Sequence, residues 1–245
     1  MADSATIVWL RDDLRVADNP ALAAAGARGG PVVVVYLLDE VSEGIRPLGS
    51  ATRWWLHQSL TSLATTLDGL GASLTLRRGA AEEIIPALIE EVGAGAVYWN
   101  RRYGAAREVD ARLKSSLRES GLDAQSFQAN LLFEPWTITT GDGNPYRVFT
   151  PFWRACLERG VDREPVPAPS SIEGVKVRSD VLDDWGLLPT KPDWAGGLRE
   201  TWTPGEEGAH ERLADFIDGI LDDYHRRDEP GAIATSGLSP HLRFG

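Results

Sequence analysis

The strongest constraint in the sequence is an alternation of two hydrophobic periods, repeated five times with short connections. Thr6-Ile7-Val8-Trp9-Leu10, Pro31 to Leu38, Leu74 to Leu76, Ala96-Val97-Tyr98-Trp99 and Ala124 to Phe127 are short apolar runs rich in β-formers. Helical stretches lie between them. Asn19-Pro20 supplies an N-cap and a proline suited to a first helical turn. Ser50 is expected to cap a long helix that carries Trp54, Trp55, Leu60, Leu63 and Leu67 towards Leu70 and stops at Gly71. Ala81 to Val92 ends at Gly93, and Ala105 to Ser120 ends at Gly121. The unbroken valine and leucine run after Pro31 suits a central parallel strand covered on both faces. Right-handed βαβ units are the economical solution, so residues 1–128 are read as a doubly wound, Rossmann-like α/β unit with a five-stranded parallel sheet.

After Gln128 the texture changes. Prolines at 135, 145, 165, 167, 169, 189, 192 and 204 break up the chain, and only Phe149 to Arg159 reads as helical. Residues 129–204 are therefore expected to be a long connector wrapped over the α/β unit. Helical signal returns in 205–245, where Leu213, Phe216, Ile217, Ile220 and Leu221 form an apolar stripe running from Glu206 to Tyr224. Ser239-Pro240 opens another helix with five residues after it, a pattern that implies a helical domain continuing past Gly245.

Composition narrows the classes. A chain of 245 residues with 42% hydrophobic residues can bury a substantial core. The net charge of −11 makes it a poor non-specific ligand for a polyanion, so any basic surface must be local or lie elsewhere. Cys156 is the single cysteine, which excludes an intrachain disulfide and a cysteine-cluster metal site. His57, His210, His225 and His241 lack metal-ligand spacing and are read as surface or packing residues. Met1-Ala2-Asp3-Ser4 leads straight into the first strand without a basic, apolar leader. A cytoplasmic, monomeric protein with no membrane segment is expected.

The first βα turn is Arg11-Asp12-Asp13-Leu14-Arg15 and has no glycine, which disfavours dinucleotide binding of the nicotinamide type. Its charges fit either a surface ion-pair network or a ligand-facing rim. Thr235-Ser236-Gly237-Leu238-Ser239 is more pointed: hydroxyls, a glycine and a helix start concentrate donors in a tight loop, which suits a phosphate as well as a plain turn. No catalytic constellation, Walker loop or metal motif is present. Trp54, Trp55, Trp99 and Trp153 are read as core residues rather than an electron relay.

The order of short motifs goes further. Trp9-Leu10-Arg11-Asp12-Asp13-Leu14-Arg15 with Asp18-Asn19-Pro20-Ala21-Leu22 resembles the opening of the photolyase/cryptochrome family. Trp99-Asn100-Arg101-Arg102-Tyr103 is similar to its fourth-strand motif, and Pro145-Tyr146 with Val148-Phe149-Thr150-Pro151-Phe152 to its linker. Pro204-Gly205-Glu206 resembles the start of its flavin domain. Arg227-Asp228 with Pro230, then Thr235-Ser236 and Leu238-Ser239-Pro240-His241-Leu242-Arg243-Phe244-Gly245, resemble the opening of its FAD site.

That resemblance implies a deoxyribodipyrimidine photolyase, in which reduced FAD passes an electron under blue light to a pyrimidine dimer flipped out of DNA. A cryptochrome-type photoreceptor is the alternative. It implies that Tyr224 contacts the flavin, that Thr235, Ser236, Gly237, Leu238 and Ser239 hold its phosphates and ribityl chain, and that Arg227 meets UV-damaged DNA. No catalytic residue is expected within these 245 residues, and the chain by itself is not expected to repair DNA. A folate or deazaflavin antenna pigment is also implied, with Arg11, Asp39, Arg53 and Asn100 as candidates at strand ends. Asp12 stands where arginine is usual, and Gly104-Ala105 where Glu-Pro is common. A free-standing nucleotide-binding module would instead need a glycine-rich phosphate loop within residues 1–128, and none is present.

Overall fold

The computed structural model describes residues 4–245; Met1 to Asp3, the opening of the N-terminal stretch read above, lie outside the described residues. Five strands, β1 (Thr6–Leu10), β2 (Val32–Leu38), β3 (Leu74–Arg78), β4 (Ala96–Asn100) and β5 (Asp123–Phe127), form one parallel sheet. Its order is β3-β2-β1-β4-β5. Four helices connect them: α1 (Pro20–Arg28), α2 (Ser50–Gly69), α3 (Ala81–Val92) and α4 (Ala106–Glu119).

Period-two burial sorts the two faces. Val8, Leu10, Val34 and Tyr36 pack with α1 and α2, through Ala21, Leu22, Trp54, Leu56 and Leu60. Ile7, Trp9, Val33 and Val35 pack with α3 and α4, through Ile85, Leu88, Val109 and Leu113. The expected doubly wound sheet is thus present, with every residue of β1, β2 and β4 buried.

Several local expectations are corrected. Ser50 is the first helical residue of α2 rather than its cap; Gly49 precedes it and makes no side-chain cap bond. The helix start is held instead by Glu40, which accepts from Leu48 N and from Arg53, while Arg53 Nε donates to Leu48 O. Residues 129–204 contain more than α5 (Phe149–Arg159): a 3₁₀ turn spans Leu182–Trp185 and α6 spans Gly196–Thr201. Trp54, Trp55 and Trp99 are buried, but Trp153 is half exposed and stacks on Phe149. An α-helical spacing brings those two rings together on a face that nothing covers.

The 129–204 stretch grips the sheet at defined points. Gly174 forms a parallel bridge with Val32, and an added Cβ there would sit 2.5 Å from Ala72 Cα. Along the outer edge of β3, Leu76 N donates to Ser179 Oγ and Asp180 N donates to Leu76 O. An edge strand is thereby covered rather than left as a template for pairing. Trp185 is buried against Tyr36 and donates to Asp180. Arg163 pairs with Asp18, a non-glycine residue held at φ 45°.

The last segment holds α7 (Glu206–Asp215) and α8 (Ser239–Phe244). The apolar stripe does not form one helix to Tyr224. After Asp215 the chain passes through a π-type turn, Phe216–Ile220, and a 3₁₀ turn, Leu221–Arg226. Gly219 weakens the helix interior, and Leu213, Ile217 and Leu221 remain exposed, without the packing that sustains a regular helix. Among the described residues, no helix is long and apolar enough to cross a membrane.

Candidate flavin-phosphate corner and the sealed switch point

In an open sheet of this order, the crevice between β1 and β4 is where connections diverge and ligands usually enter. Here the chain's own polar side chains fill it. Asn100, fully buried at the end of β4, donates from Nδ2 to Asp13 Oδ2 at 2.7 Å and to Asn19 Oδ1 at 2.8 Å. Its Oδ1 accepts from Ala21 N at 3.1 Å, and Asn19 Oδ1 also caps α1 by accepting from Leu22 N. Arg11 lies over the Trp9 ring, donates to Asn100 O and pairs with Asp110 of α4 at 3.2 Å. Burial holds the Arg11 pKa down to about 10, against the pull of Asp110, and pushes the Asp13 carboxyl up.

The turn read as a surface ion-pair network or ligand-facing rim is therefore mostly neither. Arg11 and Asp13 are interior, because their partners arrive from residues about ninety positions away. Two other suggested pigment contacts are also committed to the fold. Asp39 accepts from Ser42 and from Ala81 N at the start of α3, and Arg53 pairs with Glu40.

The rest of that loop receives the chain's final segment. Leu14 N donates to Phe244 O at 2.6 Å, and Arg243 pairs with Asp12 at 2.6 Å. Glu206, at the first turn of α7, accepts from Val16 N at 3.0 Å and Ala17 N at 3.1 Å. Phe244 is buried in the same core cluster as β1, α1 and α2. His241 is buried with its ring 4.9 Å from Trp55 and 6.2 Å from Trp202. Its pKa is lowered chiefly by burial, opposed by a bond to the Gly205 backbone and aided by Arg212.

These anchors hold the Thr235–Ser239 corner. Gly237 sits at φ 65°, a conformation that suits glycine. Ser236 Oγ accepts from Leu238 N at 3.3 Å, and Ser239 begins α8. The N–H groups of Ser236, Gly237 and Ser239 meet no protein acceptor among the described residues. Thr235 and Ser239 are exposed, so their hydroxyls face solvent. A Cβ added at Gly237 would lie 3.8 Å from Nη1 of Arg212, a cation stacked over Trp202. The sequence reading missed Arg212, and no local signal marks it: it is one of several charges flanking the apolar Leu213 stripe.

Tyr224 and Arg227 form a separate cluster. The Arg227 guanidinium lies 5.1 Å from the centre of the Tyr224 ring, and that ring meets Phe216 edge-on. Arg227 makes no salt bridge to Asp223 or Asp228; Arg226 takes Asp223 and Glu229 instead. Among the described residues, no hydrogen bond, ion pair or ring contact joins this cluster to Thr235–Ser239.

A family model described as DNA photolyase matches residues 6–170. The chain belongs to the DNA photolyase family. As a photolyase-family chain it is 49% identical over 98% of its length to a deoxyribodipyrimidine photo-lyase of Agrobacterium fabrum, of which it covers 50%. It is 38% identical to cryptochrome-1 of Arabidopsis thaliana, over 98% of this chain and 36% of that protein. Among solved structures, a bacterial class III photolyase from Agrobacterium tumefaciens superposes with a TM-score of 0.93 at 48% identity, over 99% of this chain and 50% of that one. The chain thus spans half the length of the two Agrobacterium proteins and about a third of the cryptochrome.

Proposed function

We propose that this chain is the front portion of a deoxyribodipyrimidine photolyase that repairs cyclobutane pyrimidine dimers in UV-damaged DNA. The observation that carries the reading is the 49% identity to the Agrobacterium enzyme along nearly the whole chain. In this proposal Thr235, Ser236, Gly237, Leu238 and Ser239 grip the FAD phosphates and ribityl chain. The free N–H groups and outward hydroxyls form a donor set that matches an anion, and Arg212 adds positive charge beside Gly237. Bound FAD would supply the light-driven electron.

The chain's own contribution is placement. His241 and Phe244 fix the corner against Trp55 and the core, while Glu206 ties the start of α7 to the first loop of the sheet. Tyr224 is assigned to a flavin edge and Arg227 to a DNA contact. The exposure of both leaves them free to meet such partners. An antenna pigment, folate or deazaflavin, is part of the proposal; the side chains of Arg11 and Asn100 are engaged in the buried network. The protein is proposed to act as a cytoplasmic monomer.

The test is light-dependent conversion of a thymine-dimer oligonucleotide by the whole polypeptide that contains this chain, with its flavin spectrum recorded. Repair supports the proposal. Flavin with no repair favours the cryptochrome reading, for which the 38% identity to the Arabidopsis protein speaks. Absence of flavin refutes both.

A further inference from the structure

Helix α5 is rooted on one side and bare on another. Cys156 is buried, Arg159 donates to Thr137 O at 3.0 Å, and Gly160 N closes the last turn on Cys156 O. Arg154 and Glu158 are exposed, as expected on the outer face of an amphipathic surface helix. Between these two faces runs an apolar stripe, Phe149, Trp153 and Leu157, spaced four residues apart. The three are 72%, 49% and 62% exposed. The Phe149 and Trp153 rings lie parallel to within 7°, so the stripe is already ordered with nothing over it among the described residues.

Beside the stripe lies a groove of about 560 Å³, lined by Leu131, Leu132, Ile138, Tyr146 and Phe152. Exposed apolar residues scattered singly need no explanation, but a continuous ridge next to an apolar groove does. A row at i, i+4 spacing is one of the ridges by which helices interlock, and an apolar groove receives the apolar face of a helix. The backbone of α5 is paired within its own helix, so it offers no free edge for an added strand.

The source of such a helix is narrowed by what the first βα loop holds. Arg15 donates to Ala129 O, and Asp18 accepts from Arg163 and from Val166 N, so the chain on both sides of α5 is fastened to residues 11–18. The same loop holds α8, through Leu14 N to Phe244 O and Arg243 to Asp12. Polypeptide leading on from α8 therefore sets out beside the mount of α5. The two Agrobacterium relatives are twice as long as this chain. A helix tethered at that point is present at an effective concentration of about millimolar, enough to dock on a patch too small to hold a free partner.

We propose that the Phe149-Trp153-Leu157 stripe and the groove beside it receive an amphipathic helix of the polypeptide that continues beyond α8. The inference rests on the reading of this chain as the front portion of a longer enzyme. It gives α5 the task of fastening the later part of the protein to the α/β unit. Trp153 then becomes a core residue of the whole polypeptide, though it is not one of the α/β unit.

Maleimide labelling of Leu157→Cys, read by peptide mass spectrometry, tests this, with Glu158→Cys as the solvent-facing control and native Cys156 buried. Leu157→Cys should react at least about tenfold more slowly in the whole polypeptide than in the 245-residue chain, while Glu158→Cys reacts alike in both. Trp153→Ala should lower the melting temperature of the whole polypeptide by about 2 °C or more and leave that of the 245-residue chain within about 1 °C. Equal reactivity of Leu157→Cys in the two forms overturns the proposal; if the same sample holds flavin and repairs DNA in light, the photolyase reading stands without it. Slow labelling in a whole polypeptide that holds no flavin supports the docking and refutes the flavin reading. Protection of Leu157→Cys that appears when the 245-residue chain is concentrated assigns the stripe to a second copy and also overturns the proposal.

Discussion

Asn100→Ala should be among the most damaging single changes in the sheet. The side chain is fully buried and makes three hydrogen bonds, to Asp13, Asn19 and Ala21. Alanine leaves the Ala21 N–H without an acceptor, at about 1–3 kcal/mol, and removes a donor from a buried carboxyl, at about 1.5–3 kcal/mol. Asn19 keeps its bond from Leu22 N, so it adds little. The expected loss is about 4 kcal/mol, or roughly 8–16 °C in melting temperature for a chain of this size. Urea unfolding followed by tryptophan fluorescence measures it directly. Asn100→Asp supplies an internal check. A second carboxyl beside Asp13 must share a proton that the unfolded chain gives up at ordinary carboxylate pKa values. The folded state then binds more protons, and stability should fall as pH rises above about 4. The reasoning fails if Asn100→Ala costs under about 1 kcal/mol, as it would for a residue facing a ligand cleft rather than closing the crevice.

Three further outcomes follow from the docking of the later segments. Glu206→Ala should cost about 1–3 kcal/mol by orphaning the Val16 and Ala17 N–H groups, and Glu206→Gln less because one acceptor survives; equal costs in chemical denaturation would contradict the paired bonds. Gly174→Ala should destabilise by several kcal/mol, since its Cβ would meet backbone atoms of Gly71 and Ala72 at 2.6 Å and 2.5 Å that have no room to retreat; a melting temperature like that of the parent would refute this. Both His57 and His241 have pKa values lowered by burial, so the fold favours their neutral forms. Their contribution is intact above the ordinary value of 6.5 and declines as pH falls below it, whereas the lowered carboxyls Asp18 and Asp39 begin to matter only below 3.8. Asp13, raised by burial, acts in the opposite sense, so the check is a comparison: melting temperature should fall less between about pH 7 and pH 5 in His57→Gln and His241→Gln than in the parent, and identical profiles would count against buried neutral histidines.

The sheet was legible in the sequence because its signals are local. Period-two runs, Asn19-Pro20, Gly93 and Gly121 mark elements through backbone preferences that neighbours along the chain decide. The family motifs were legible for the same reason, each being a short contiguous string. The Thr235–Ser239 corner stood out through its hydroxyls and glycine, and Gly237 does occupy a left-handed conformation.

What the sequence did not contain was the pairing of distant groups. Arg11 and Asp13 look like exposed charges until Asn100 and Asp110 arrive to satisfy them. Trp153 looks like a core residue, yet nothing folds over it, while Trp185, in a stretch read as connector, is buried against Tyr36. The stripe after Leu213 has helical spacing, but without a partner it relaxes into tighter and looser turns. Local pattern determined which elements form and in what order. Only the tertiary arrangement decided which charges are buried and paired, and how Glu206 and Phe244 bring the Thr235–Ser239 corner onto the sheet. The physical reason is that desolvation and pairing depend on atoms brought within a few ångströms by the fold, as where Asp12 meets Arg243 from the opposite end of the chain.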